Sequence, residues 1–302
     1  MISHFIAYIF LIINMALWGG ALVVARSVYE MAPPMALTFW RWVVAVLVLL
    51  PFVARSLRRE LPLKSEAKQS IYWICITMAI GTSLSLVAVN YTTAINATVI
   101  NATQPAVTAV AALFLLREKL TKLQTLGIFS AFFGILIMAS QASINRLLQM
   151  DINIGDIVML GAVISWSLYA VELHRASYLP SYGVLLFLTA CTGVVIGLPL
   201  YLIEENFFRS MKINWETITG VLYLSIGSTV IAVSLWNLSI RAIGANRASI
   251  FLNLIPVFGA IFAIKFLEEK LYIYHIIGGS LIIAGILFAL QNFGRVVSSR
   301  ES

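Results

Sequence analysis

The chain has 302 residues, 61% of them hydrophobic and 11% charged, with 20 Lys and Arg against 13 Asp and Glu and a net charge of +7. So apolar a composition excludes a soluble domain, which must present a polar surface, and points to an all-α polytopic membrane protein, since an open sheet edge cannot satisfy its backbone in hydrocarbon. The basic excess fits loops held against anionic headgroups, and nucleic acid is not an expected partner.

A bilayer core about 30 Å thick takes roughly 20 apolar residues per helix. Runs of that length recur near 5–25, 35–55, 70–90, 96–116, 122–140, 155–176, 182–203, 215–237, 247–267 and 273–293, which predicts ten transmembrane helices. The first run lacks a basic n-region and a small-residue cleavage site, so it reads as a retained helix. It carries "LWGG" with Trp18, and the second carries "FWRW" with Arg41. Cys75 and Cys191 fall inside apolar runs and read as small core residues rather than a disulfide. The fourth run contains "TVINATQPAVT", where Thr98, Asn101, Pro105 and Thr108 recur at helical spacing beside Gln104. The sixth holds "SWSLYAV" with Trp166 and Tyr169, the eighth Trp236 and Asn237, and the ninth Ser249, Asn253 and Pro256. Only 56–69, 141–154 and 204–214 exceed a turn between spans, so no extramembrane catalytic domain is expected. His4, His174 and His275 are scattered and no HExxH, GxxxxGK or GxSxG motif occurs, so neither an enzyme nor a metal or cofactor site is predicted.

With both termini cytoplasmic, thirteen of the 20 basic residues lie inside, six outside, and Arg41 within a span. That asymmetry predicts this orientation in the inner (plasma) membrane.

The halves repeat. Trp18 and Pro51 correspond to Trp166 and Pro199 at an offset of 148, and "QPAVTAVAALFLLREKL" aligns with "IPVFGAIFAIKFLEEKL" at an offset of 151. Gly127 with Gly278 and Gly134 with Gly285 continue the second register. The chain therefore divides into a five-helix repeat over 1–145 and another over 151–295. Because five is odd, the copies are expected to enter the membrane in opposite senses, as two inverted repeats that can rock about a central site.

The proline followed thirteen residues later by glutamate in both halves, with "LWGG", "FWRW" and "SWSLYAV", resembles the EamA family of the drug/metabolite transporter superfamily. The resemblance covers nearly the whole chain. It implies a ten-helix carrier of small metabolites such as amino acids, operating without ATP. Two positions depart from the pattern: the glycine usual before the motif glutamate is Arg117 in one half and Glu268 in the other, and Ala21 and Leu22 replace a polar residue after "WG". A secondary transporter, as an exporter acting by alternating access, is the expected function. A cationic multidrug efflux carrier is the alternative, and a non-transporting structural or sensor protein the alternative of another class. The expected partners are a small-molecule substrate and membrane lipid, with the protein a monomer or homodimer.

Polar groups in lipid are costly unless they face the bundle interior, which makes Trp18, Arg41, Asn101, Gln104, Trp166, Tyr169, Trp236, Asn237 and Asn253 the candidate substrate-binding residues. For Asn101, Gln104 and Asn253, hydrogen bonding between helices is an equal alternative. Trp40, Trp42, Trp73 and Trp215 lie near span ends and read as interfacial anchors. Arg41 lies roughly 9 Å into its span at 1.5 Å per residue, within snorkelling reach of the outer surface. Its repeat partner is Thr189, so the five-helix architecture does not demand it. It matches the family's second-helix arginine, which suggests a role in orienting a carboxylate or a helix carbonyl, with membrane anchoring as the alternative.

Overall fold

The computed structural model describes residues 2–28, 30–63, 65–88, 91–92, 97, 100–149, 153–266 and 272–290. All regular structure among them is helical. The main elements are α1 (His4–Ser27), α2 (Pro34–Glu60), α3 (Ser65–Ala88), α4 (Gln104–Leu116), α5 (Lys122–Ala139), α6 (Ile154–Arg175), α7 (Tyr182–Phe207), α8 (Trp215–Ile243), α9 (Ala245–Phe266) and α10 (Ile273–Leu290). Among the described residues, seven helices, α1, α2 and α5 to α9, are long and apolar enough to cross a membrane, and Gln104–Leu116 and Ile273–Phe288 are shorter apolar helices. Thr98 and the second-half glutamate motif at Glu269 lie outside the described residues.

Local chemistry sets where the helices begin. Thr121 and Gln124 form a reciprocal capping box at the start of α5, as do Asn153 and Asp156 for α6, and Asn214 and Thr217 for α8. Pro34 opens α2, where its missing N–H is not needed. At the end of α4, Arg117 takes the left-handed conformation, φ 58°, that glycine adopts without steric cost. The missing motif glycine thus concerns a helix end.

Two expected straight spans are interrupted. The sequence predicts one helix over 96–116 with Pro105 in its middle, but a turn at Ala102 and Thr103 precedes α4, and Pro105 sits in the first turn of that helix. Proline has no N–H to donate and clashes with the carbonyl four residues back, so the chain breaks before it instead of continuing through it. The equivalent region of α9 behaves similarly: an α-helical turn at Ala245–Ile250 tightens into a 3₁₀ segment, Phe251–Leu254, before α-helix resumes with Pro256 in second place. The third irregularity has no proline. In α8 the stretch Tyr223–Ile231 is π-helical.

Packing pairs the equivalent helices of the two halves. α5 packs along α10 and α2 along α7, while α3 packs on α6 and α8 on α1. Exchanging the halves leaves this pattern unchanged. Both self-pairs run antiparallel. A Cβ built on Gly134 would lie 2.5 Å from the Gly278 carbonyl, and one on Gly285 would lie 2.5 Å from the Gly127 carbonyl. The glycines therefore let the α5 and α10 backbones touch, and Ser130 adds a 2.9 Å bond to the carbonyl of Leu281, its own repeat partner. Between α2 and α7, the Trp42 indole lies over Gly193, where a Cβ would fall 2.6 Å from the ring, and Phe39 stacks on Tyr201 at 4.7 Å. Trp42 is fully buried, not an interfacial anchor, because the gap at Gly193 accepts its ring; Trp40, Trp73 and Trp215 are exposed. Both cysteines are free thiols.

Gly134→Leu is expected to force α5 and α10 apart, giving aggregated material in place of a monodisperse peak on size-exclusion chromatography in detergent. An unchanged elution profile would refute the contact.

Candidate functional site

The predicted aromatic residues converge. Trp18 of α1 meets Trp166 of α6 with ring centroids 6.0 Å apart and planes at 61°, and meets Trp236 of α8 at 5.4 Å. Trp166 in turn contacts Tyr169 edge to face at 5.7 Å. The Tyr169 hydroxyl donates to Oδ1 of Asn237, and both residues are buried. Five candidates from three helices thus form one cluster, in which the two repeat-equivalent tryptophans touch each other. Gly81 of α3 makes room for Trp166, since a Cβ there would stand 3.0 Å from the indole.

The cluster is seated on the irregular part of α8. The Trp18 indole N–H donates to the carbonyl of Ser228 at 3.0 Å, inside the π-helical stretch. One turn earlier, Asn14 Nδ2 donates to the carbonyl of Ala232, where α-helix resumes. From the other side, the Tyr223 hydroxyl donates 3.1 Å to the carbonyl of Leu17. Side chains of each helix therefore bond to the backbone of the other. Asn14 is fully buried, and with its nitrogen committed to Ala232 its Oδ1 has no partner among the described residues; the buried indole N–H of Trp236 has none among them either. A buried acceptor and a buried donor thus flank the tryptophans unpaired, and unmet polar groups of this kind are costly unless a ligand or water meets them.

The other candidates are dispersed. Gln104 is buried at the start of α4, and Asn253 is buried in the 3₁₀ segment of α9, so both lie at the helix breaks. Asn101 is exposed, whereas Thr108 is fully buried and donates to Ser167 of α6 at 3.1 Å, so the two do not share the face that their spacing suggests. The turn at Ala102 and Thr103 breaks the helical phase between them. Arg41 lies on α2, its buried Nε without a hydrogen-bond partner among the described residues and its guanidinium 5.1 Å from the Trp42 ring centroid.

At one end of the bundle a polar set ties the halves together. Glu118, just beyond α4, accepts a 2.9 Å bond from Asn246 of α9 and lies 3.8 Å from Nε2 of His174. Arg241 of α8 donates to the carbonyls of Leu173, His174 and Ala176 at the end of α6, and Glu172 pairs with Arg175 at 2.8 Å. At the opposite end, Glu204 of α7 accepts a 2.8 Å bond from the Ala36 N–H in the first turn of α2. A cavity of about 510 Å³ opens between α4 and α5, walled by Ala102, Ala106, Val110, Leu113 and Phe129 and reaching Glu118 and Lys119. Most of its wall is apolar and outward-facing, with Val110 and Phe129 more than half exposed.

The profile of the EamA-like transporter family matches residues 5–140 and 153–291. The chain is 28% identical over 296 residues to "Uncharacterized transporter YyaM" of Bacillus subtilis, covering 95% of this chain and 94% of that one. It is 25% identical over 285 residues to an "Uncharacterized transporter" of Archaeoglobus fulgidus, covering 92% and 95%. A solved crystal structure shares its fold, with a TM-score of 0.76 at 17% identity over 95% of this chain and 98% of that chain.

Tyr169→Phe leaves the buried Asn237 Oδ1 without its donor and is expected to cost about 1–2 kcal/mol. Thermal unfolding in detergent should register this as a lower midpoint; an unchanged midpoint would show that the bond is not formed.

Proposed function

Because the chain belongs to the EamA-like transporter family, we propose that it is a secondary transporter that exports small metabolites, such as amino acids or related amphipathic compounds, across the cytoplasmic membrane by alternating access. The observation that carries this reading is the contact between Trp18 and Trp166, repeat-equivalent residues that meet where the halves join. A solute held at that junction touches both halves, so rocking one against the other exposes it to each side in turn. The helix breaks before Pro105 and Pro256, also at equivalent positions, support the same reading, since interrupted helices in carriers lie around the substrate.

The architecture we infer is ten spans in two inverted five-helix repeats, 1–145 and 151–295. The antiparallel packing of α5 on α10 and of α2 on α7 supports the inversion, because equivalent helices of repeats inserted the same way would run parallel. Both termini are placed in the cytoplasm by the distribution of basic residues. In this scheme the tryptophans and Tyr169 hold the body of the substrate, Gln104 and Asn253 offer polar contacts at the helix breaks, and Asn101 contributes from the exposed approach. The carrier works as a monomer or homodimer surrounded by lipid, without cofactor or metal.

Purified protein in liposomes tests the function. Preloaded unlabelled amino acid is expected to drive saturable counterflow of the labelled compound, and Trp18→Ala should reduce it at least tenfold. Absence of saturable flux across a panel of amino acids, organic acids and amines would refute the carrier. Orientation has its own check: a cysteine at Arg58, in a background lacking Cys75 and Cys191, should resist membrane-impermeant maleimide in intact cells, and labelling there would reverse the topology.

A further inference from the structure

Among the described residues, none supplies Arg41 with a counter-charge. Its neighbours on the same face of α2, Leu37 four residues before and Val44 three after, pack in one cluster with Val28, just past α1, and Val221 and Leu224 of α8. That face turns toward the π-helical stretch of α8 on which Trp18 is seated, and α2 packs directly against the stretch. The guanidinium makes no hydrogen bond or ion pair with any described residue; its Nε is buried and unpartnered, and its one close electrostatic contact is the Trp42 ring at 5.1 Å.

The carboxylates that could have answered it are engaged elsewhere. Glu204 bonds the first turn of α2, Asp156 caps α6 and accepts from Thr92, Glu172 pairs with Arg175, and Glu118 bonds Asn246. A guanidinium keeps its charge in proteins, and in a low-dielectric interior one aromatic face does not replace the water it has lost. The same planar fork matches a carboxylate through two parallel N–H donors.

We propose that Arg41 is the receptor for the carboxylate of the transported solute, which restricts the substrates to organic acids and zwitterions with an apolar or aromatic body. The body lies toward Trp18, Trp166 and Trp236, and the carboxylate supplies the counter-charge that the described residues do not. A solute whose only charge is positive finds repulsion at Arg41 and no free carboxylate among the described residues of the cluster. The proposal rests on the carrier reading for its biological use, but not for its test.

Three probes share one ring and differ only in charge: phenylalanine, 3-phenylpropionate and phenethylamine. With the full chain in detergent, the first two are expected to raise the thermal-unfolding midpoint and the amine to leave it unchanged. Arg41→Gln should abolish the effect of both acids, and Arg41→Lys should raise the concentration needed at least tenfold, because the charge stays while the fork is lost. Without probe, Arg41→Met should melt no lower than wild type, since it removes a partly buried charge whose Nε has no partner among the described residues. Stabilisation by phenethylamine equal to that by phenylalanine, acids acting equally on Arg41→Gln, no response of the wild type to either acid, or Arg41→Met melting several degrees lower would each overturn the proposal. Acid binding that survives while liposome counterflow fails would refute transport and leave the Arg41 site standing.

Discussion

Hydrocarbon offers a backbone no hydrogen-bond partner, and that constraint governs where this chain can depart from the α-helix. Its departures are the turn before Pro105, the 3₁₀ segment before Pro256 and the π-helical stretch of α8. Of these, the π-helical stretch shows most directly how the constraint is met. Trp18 and Asn14 donate to carbonyls in and just after it, while Tyr223 from within it donates back to Leu17. Polar side chains that look isolated along the sequence are therefore the partners of an irregular backbone, and the aromatic cluster forms where those bonds fix α1 against α8. The π-helical stretch and the aromatic cluster share one location because only a protein-lined interior tolerates irregular backbone and polar side chains.

Duplication made much of this readable in advance. Two residues at one offset, Trp18 and Trp166, identify a position that both halves keep, and the structure brings them into contact. Tyr169, Trp236 and Asn237 were recognisable because aromatic and amide groups within apolar spans need a reason to be there. Asn14 gave no such signal: it is a lone amide in an apolar run, and its repeat partner by offset is Ala162. The π-helical stretch was equally silent, since no proline or glycine pair marks it. Trp42 misled through its nearness to a span end, because the gap that buries it belongs to Gly193 in the other half. Asn101 misled through periodicity, which assumes an unbroken helix, and the turn at Ala102 and Thr103 resets the phase. What sequence withheld were contacts between distant segments and irregular turns that no residue type enforces.

The two halves are alike in frame and unlike in equipment. At the positions related by the 148 offset, one half has Arg41 with an unpartnered Nε and the other has Thr189, whose hydroxyl donates to the Leu185 carbonyl and lies 3.4 Å from Cys75 Sγ. A symmetric pair of arginines would have put two like charges into one low-dielectric interior, at a far greater cost than one. Keeping the architecture while breaking the chemistry gives the interior a polarity that a perfect duplicate would lack.

The wide turn of α8 also sets which way that helix faces. Each residue of an α-helix advances about 100° around the axis, so an extra residue accommodated in a π-helical turn rotates everything beyond it by about that angle. Trp236 and Asn237 follow the stretch and point into the cluster with that rotation already in place. The ends of α8 are held, by the Asn214 capping box at one and by the bonds of Arg241 to three carbonyls at the other. Were the wide turn to migrate past Trp236, the indole would swing out of contact with Trp18 while both ends stayed where they are. A helix fixed at its termini can thus turn one face of its middle, like a key rotating inside a lock whose plates do not move.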